Sequence, residues 1–189
     1  HANAPAARLF WIYALTMGAS QGMTTVMALF LASKFAVTER NIGFFFTYVG
    51  TISFITRAGF LGKPVTRLGD LPLSRYGMVL LAMGLAGMAF SPNIPVLAFF
   101  VALVPLGTAF TFPCVTGLLS RVVSPHERGL YMGVQQTFGG TGRVVGPIYA
   151  GWAFDHLGHG VPFYTGAAIV ILTITIGTGL EQFIPPRKS

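Results

Sequence analysis

The sequence predicts an all-α membrane protein in which six transmembrane helices form a single domain. Of the 189 residues, 53% are hydrophobic and only 9% are charged, whereas an average soluble chain has about 25% charged residues. So little charge could not cover the surface of a soluble fold, and it also argues against a disordered or fibrous chain. The apolar residues fall in six runs, and a helix needs roughly 20 of them to cross a bilayer.

The six predicted spans follow one another with short connections. The third is the shortest, and its helix can start earlier, because Arg75 just before it can extend its side chain to the membrane surface. Ser91, Pro92 and Asn93 predict a tight turn between the third and fourth spans. The predicted spans are about 9–33, 42–62, 76–91, 94–119, 129–153 and 161–184.

Polar residues in the first, second and fourth spans indicate helices that do not face only lipid. The first span contains Gln21 among several Ser and Thr residues, and the fourth contains Pro105, Thr108 and Pro113. Such residues either line a cavity or, for the hydroxyls, bond the carbonyls of their own helix. Arg57 in the second span either reaches the membrane surface, forms a structural pair or belongs to a pathway.

The fifth predicted span is the least lipid-like, since it contains seven glycines besides Gln135, Gln136 and Arg143. An arginine at a helix centre costs about 2.5–3.5 kcal/mol on insertion scales, and all five acids lie in loops or at span ends. Gln136 and Arg143 are seven residues apart and share one helix face. The predicted residues of a substrate pathway or gate are Arg143, Gln136, Gln135, Gln21 and Arg57.

Three pairs of glycines have the four-residue spacing that lets membrane helices approach closely. Pro147 removes a backbone hydrogen bond and predicts a kink, which either shapes the packing or serves a moving helix. The pairs are Gly18 with Gly22, Gly129 with Gly133, and Gly142 with Gly146.

The basic residues predict the orientation of the chain. Eight of the twelve Lys and Arg residues fall on one side of the predicted spans and two on the other, with two more inside spans. The richer side is expected to be cytoplasmic, with both termini there, in the cytoplasmic (inner) membrane. The eight are Arg8, Lys63, Arg67, Arg75, Arg121, Arg128, Arg187 and Lys188. Because the chain starts at His1 without an initiator Met, we expect a segment to precede it.

Residue patterns typical of enzymes are not found in the sequence. There is no metal-ligand spacing, no nucleophile–base set and no phosphate-binding loop, so we expect no enzyme activity, cofactor or metal. The basic residues are thinly spread between apolar runs, which argues against nucleic acid as a partner. Cys114 lies in an apolar run and is expected to be a packed hydrophobe.

Two stretches resemble the major facilitator superfamily. Residues 124–129, followed by Gly142, Gly146 and Pro147, are similar to the loop and eleventh helix of that family. Residues 62–69 resemble its G-x-x-x-D-R-x-G loop through Gly62, Arg67 and Gly69, although Thr66 stands at the Asp position. The resemblance implies the C-terminal six-helix half, helices seven to twelve, and a cytoplasmic loop that gates rocking between two halves.

The resemblance also implies a function and partners. It implies that a secondary transporter moves a small molecule across the lipid bilayer by alternating access. The partner would be a missing N-terminal six-helix half or a second copy of the chain, since rocking needs two halves. Gly142, Gly146 and Pro147 further resemble a pattern of drug/proton antiporters, which implies proton-coupled efflux with the coupling acids in the other half.

Two other functions remain open from the sequence. One is a non-transporting integral membrane subunit of a larger complex, and the other is a half-size transporter that works as a homodimer. Two arginines within spans, with no acid beside them, favour an anionic or neutral substrate over a cation.

Overall fold

The computed structural model describes residues 4–59 and 69–183. Those residues form six α-helices and a short 3-10 helix, without a β-strand, so the predicted all-α fold is confirmed. The helices are α1 (Ala4–Phe35), α2 (Glu39–Gly59), α3 (Asp70–Phe90), α4 (Ile94–Val122), α5 (Arg128–His156) and α6 (Val161–Ile176), with the 3-10 helix at Leu180–Phe183.

Two helix boundaries differ most from the predicted spans. Helix α3 begins at Asp70, six residues before the predicted start at 76, because Gly69 turns the chain with a φ of 82° and Asp70 is buried. Helix α6 ends at Ile176, well before residue 184, because the chain turns at Gly179 with a φ of 76°. Positive φ values of this kind are readily adopted only by glycine.

Three helices among the described residues are long and apolar enough to cross a membrane by length and composition alone: α1, α3 and α4. Helices α2 and α5 have 21 and 29 residues, enough to cross, but they carry more polar residues. Helix α6 is apolar and has 16 residues. The two more polar helices are those with the intramembrane arginines.

Helix α1 lies at the centre of the bundle and packs against α4, α5 and α6. Helix α3 packs against α4 and α6, and the main neighbour of α2 is α4. The core is made of large apolar side chains; for example, the rings of Phe30 in α1 and Phe163 in α6 have centroids 4.6 Å apart. Cys114 is buried in it as a free thiol.

Helices α1 and α5 cross at two of the predicted glycine pairs. A Cβ added to Gly22 would lie 2.9 Å from the carbonyl oxygen of Gly146, and one on Gly18 would lie 3.3 Å from that of Gly142. Any larger side chain at these positions would therefore push the helices apart. The third pair is different, since a Cβ on Gly129 or Gly133 would meet no atom within 4 Å. Helix α5 continues through Pro147 to His156.

Arginines gather at one end of the bundle, which we call the basic end. Arg8 at the start of α1 donates to the carbonyl of Thr178 at 3.2 Å, which brings the two ends of the described chain together. Arg75 pairs with Glu181 at 2.6 Å. The predicted loop residues Gly62 and Arg67 lie outside the described residues, and Gly69 precedes α3 at this end.

Candidate functional site

A polar groove of about 460 Å³ lies between α1, α2, α4 and α5. It is lined by the side chains of both intramembrane arginines, by hydroxyl and amide groups, and by aromatic rings. Arg143 lies halfway along α5, whereas Arg57 lies in the last turn of α2. The lining residues are Tyr13, Met17, Ser20, Gln21, Met23, Thr24, Val49, Ser53, Arg57, Val104, Pro105, Thr108, Ala109, Phe112, Pro113 and Arg143.

Helical periodicity explains why these residues meet. In α2 the lining residues Val49, Ser53 and Arg57 are spaced by four, so one face of the helix is turned to the groove. In α4 the pairs starting at Val104, Thr108 and Phe112 repeat at the same interval. Each helix therefore contributes one continuous stripe.

The hydroxyl groups of the polar groove also bond within their own helices. Ser20 donates to the carbonyl of Met17 at 3.1 Å, and Thr24 donates to that of Ser20 at 2.9 Å. Thr108 donates to the carbonyl of Pro105 at 3.2 Å. Both alternatives left open by the sequence thus hold, because these residues line the groove while their hydroxyl protons are engaged by the backbone.

The predicted pathway residues divide into two groups. Gln21, Arg57 and Arg143 line the polar groove, on α1, α2 and α5. Gln135 and Gln136 do not: Gln135 is 0% exposed and accepts a hydrogen bond from Thr116 at 3.1 Å, and Gln136 is exposed outside the groove. Gln136 shares a face with Arg143 but lies seven residues, about 10 Å, nearer the start of α5.

Gln135 is an unusual buried amide. Its oxygen accepts from Thr116, but its nitrogen has no hydrogen-bond partner among the described residues. A buried polar group without a partner costs about 1–3 kcal/mol. The residue therefore belongs to the contact between α4 and α5 rather than to the groove.

Two aromatic residues of the polar groove were not among the predicted pathway residues. The rings of Tyr13 and Phe112 meet edge to face with centroids 5.3 Å apart, and a Cβ on Gly139 would touch the Tyr13 ring. On α1, Tyr13 and Met17 are spaced by four residues on the face of Gln21, and this spacing is the signal that could have identified Tyr13. These rings add aromatic surface to the wall of the groove.

A second groove, of about 480 Å³, lies between α1, α5 and α6. Its wall is nearly all apolar and includes the glycine crossing, Trp11 and Val145. No group of His, Cys, Asp or Glu side chains that could hold a metal occurs in the described ranges 4–59 and 69–183. Of these two grooves, the polar groove is the one with charged and hydrogen-bonding groups to offer a ligand.

Comparison with known proteins identifies the family. The profile described as Major Facilitator Superfamily matches residues 9–188. The chain belongs to the major facilitator superfamily. It is an integral membrane protein of a transporter family, not an enzyme, and the resemblance found in the sequence is confirmed.

Individual relatives of the chain are transport proteins. It is 25% identical over 155 residues to the niacin transporter NiaP of Acinetobacter baylyi, covering 82% of this chain and 35% of that protein. It is 33% identical over 113 residues to the multidrug resistance protein MdtH of Yersinia pestis, covering 60% of this chain and 28% of that protein.

A solved structure shows the same fold. The human organic anion transporter MFSD10 (TETRAN) superposes with a TM-score of 0.81 at 20% identity, over 92% of this chain and 40% of that one. The chain thus spans less than half the length of each of these relatives.

Proposed function

We propose that the chain forms the C-terminal six-helix half, helices seven to twelve, of a secondary transporter that moves a small molecule by alternating access. The polar groove would be this half's share of the substrate pathway. The observation that carries the proposal is the position of Arg143, halfway along α5 and facing a groove wide enough for a small molecule. Intramembrane charges in such positions mark substrate and ion pathways.

A second six-helix unit would complete the pathway. Helices α2 and α5 leave large apolar side chains exposed, including Phe44 and Phe54 on α2 and Leu130 and Ile148 on α5. These helices flank the polar groove, so a unit placed against them would both cover the apolar side chains and close the groove. Either an N-terminal half or a second copy would supply it.

Efflux across the cytoplasmic membrane is the direction that we propose. It is supported by the antiporter-like pattern of Gly142, Gly146 and Pro147 and by the drug-resistance name of the relative MdtH. The carboxylates for proton coupling would then lie in the other half. Everted membrane vesicles that accumulate substrate when a proton gradient is imposed would support both the direction and the coupling.

Site-directed labelling of the polar groove tests alternating access. In the intact gene product, with Cys114→Ala and no other reactive cysteine, Ser53→Cys should react with a membrane-impermeant maleimide, and a transported substrate should change the rate. Labelling should also abolish transport, because the adduct fills the groove. Thr38→Cys, exposed in the loop between α1 and α2 and outside the groove, is the matched control and should transport normally after labelling.

Two results would contradict the proposal. Constant reactivity of Ser53→Cys, together with no transport and a stoichiometric partner on purification, would support a non-transporting subunit. Cross-linking that joins two copies of this chain and no other half would support the homodimeric transporter.

A further inference from the structure

We infer that the ligand of the polar groove is a small organic anion, with a carboxylate bound by Arg57 and Arg143 and an apolar body set against Tyr13 and Phe112. The inference rests on the proposed function, since it names the substrate class of the same groove.

Three of the five acids are engaged at the basic end, away from the polar groove. Asp70 and Glu181 are each in an ion pair with an arginine of that end. Glu127 accepts from the hydroxyl of Ser124 at 2.9 Å. None of the three lines the groove.

The remaining two acids lie at the opposite end of the bundle. Glu39 begins α2, 18 residues before Arg57, and is therefore about 27 Å away along the helix. Asp155 follows Arg143 by 12 residues, or about 18 Å along α5. Among the described residues, no acid lines the polar groove beside either arginine.

Arg143 also lies too deep to be explained by contact with the membrane surface. It stands 15 residues after the start of α5 and 13 before its end, about 22 and 20 Å from them. Arg143 is exposed to the groove, and a charge at this depth of the membrane is costly without a counter-charge, so such a site is stable when an anion binds, when the groove holds water or when a carboxylate of the other half reaches it. The geometry is suited to the first, because both arginines face one cavity.

The hydrogen-bond donors of the polar groove favour the same ligand. The hydroxyls of Ser20, Thr24 and Thr108 already donate to helix carbonyls, so towards a ligand they offer acceptor lone pairs. The guanidinium groups of Arg57 and Arg143 are the strong donors that remain. A guanidinium binds a carboxylate through two parallel hydrogen bonds, which a neutral amide or an amine cannot reproduce.

The apolar wall defines the rest of the ligand. Tyr13, Met17 and Phe112 line the groove, and the rings of Tyr13 and Phe112 meet edge to face. Such rings bind an aromatic or aliphatic body by area and by ring contacts. An inorganic anion would leave this wall uncovered, so the expected class is an organic carboxylate.

Three compounds of one shape distinguish the charge classes: benzoate, benzamide and benzylamine. The intact gene product should bind radiolabelled benzoate in equilibrium dialysis and be stabilised by it in thermal unfolding at millimolar concentration. Arg143→Gln and Arg57→Gln should each lower benzoate affinity at least about tenfold, the range expected for lost charge-assisted hydrogen bonds. Arg40→Gln, at the exposed far end of α2, should leave it unchanged.

The failure of this inference can be told from that of the proposed function. Tighter binding of benzylamine or benzamide, no benzoate binding, or benzoate affinity unchanged in both arginine variants would overturn the anion assignment. A groove whose Ser53→Cys reactivity still responds to a transported cation would leave the transporter standing. Benzoate binding that depends on Arg143, in a groove that shows no alternating access, would support the anion assignment and contradict the transporter. Arg143→Lys, which keeps the charge but not the fork, serves if Arg143→Gln does not fold.

Discussion

Asp70 makes a link that the sequence motif places elsewhere. Thr66 stands at the acidic position of the loop motif, and residues 60–68 lie outside the described part of the chain. Asp70, four residues later, is 7% exposed and forms an ion pair with Arg121 at the end of α4. It lies in the first turn of α3, where the helix dipole also favours a negative charge. The start of α3 and the end of α4 are therefore joined by this acid.

Loss of the Asp70 charge should destabilise the protein. We expect Asp70→Asn to lower the free energy of unfolding of the intact protein by about 1.5–3 kcal/mol, because Arg121 would lose its ion-pair partner. Asp155→Asn, at an exposed position, should change it little. Equilibrium unfolding in detergent measures both. The pair of Asp70→Asn and Arg121→Gln should be less than additive; full additivity, or an Asp70→Asn protein as stable as the control, would contradict the assigned bond.

Single residues also show how much of the site could be predicted from the sequence. Gln21, Arg57 and Arg143 were found because a polar side chain in an apolar run is costly and needs a reason. The same reasoning selected Gln135, which is instead buried against Thr116. The energetic cost of a polar side chain in an apolar run identifies the residue but not its partner. The partner depends on the rotation of α5 about its axis, which is set by packing against α1.

At the scale of helices, the four-residue spacing of the glycines predicted close contacts between helices, but not which helix each glycine meets. The pairs at Gly18 and Gly142 share their spacing with the pair at Gly129, yet only the first two lie at a crossing. The same closeness occurs between α3 and α4, where a Cβ on Gly107 would lie 2.6 Å from the carbonyl oxygen of Gly77. Whether a glycine lies at a helix contact or on an open surface can be decided only when the positions of both helices are known.

The crossing of α1 and α5 gives a matched pair of glycine variants. Gly142→Ala should destabilise the protein by about 1–3 kcal/mol, the usual range for overpacking, because the new methyl group would collide with the carbonyl oxygen of Ala14. Gly133→Ala should be neutral or stabilising by up to about 1 kcal/mol, since alanine favours the helix and meets open space. Equal stabilities of the two variants in equilibrium unfolding would show that the crossing is not tight in the membrane.

At the scale of the whole molecule, the two helices that carry the arginines of the polar groove are less apolar than the other four. Helices α1, α3 and α4 are apolar enough to cross a membrane on their own composition, and α1 and α4 also supply much of the core. Helices α2 and α5 carry the arginines of the polar groove and leave apolar side chains exposed beside it. Composition correctly predicted that the bundle lies in a membrane, but it could not distinguish a helix that faces lipid from one that faces a groove.

The distribution of charge over the bundle predicts its orientation in the membrane. Arginines of α1, α3, α4 and α5 gather at the basic end, so the positive-inside rule places that end in the cytoplasm. In intact cells expressing the full gene with Cys114→Ala and no other reactive cysteine, His126→Cys should resist a membrane-impermeant maleimide and react only after permeabilisation. Thr38→Cys, in the loop at the opposite end, should react in intact cells. Both positions are exposed, so a failure to react reports the membrane rather than burial. Labelling of His126→Cys in intact cells, with Thr38→Cys protected, would invert the orientation and place the basic end outside.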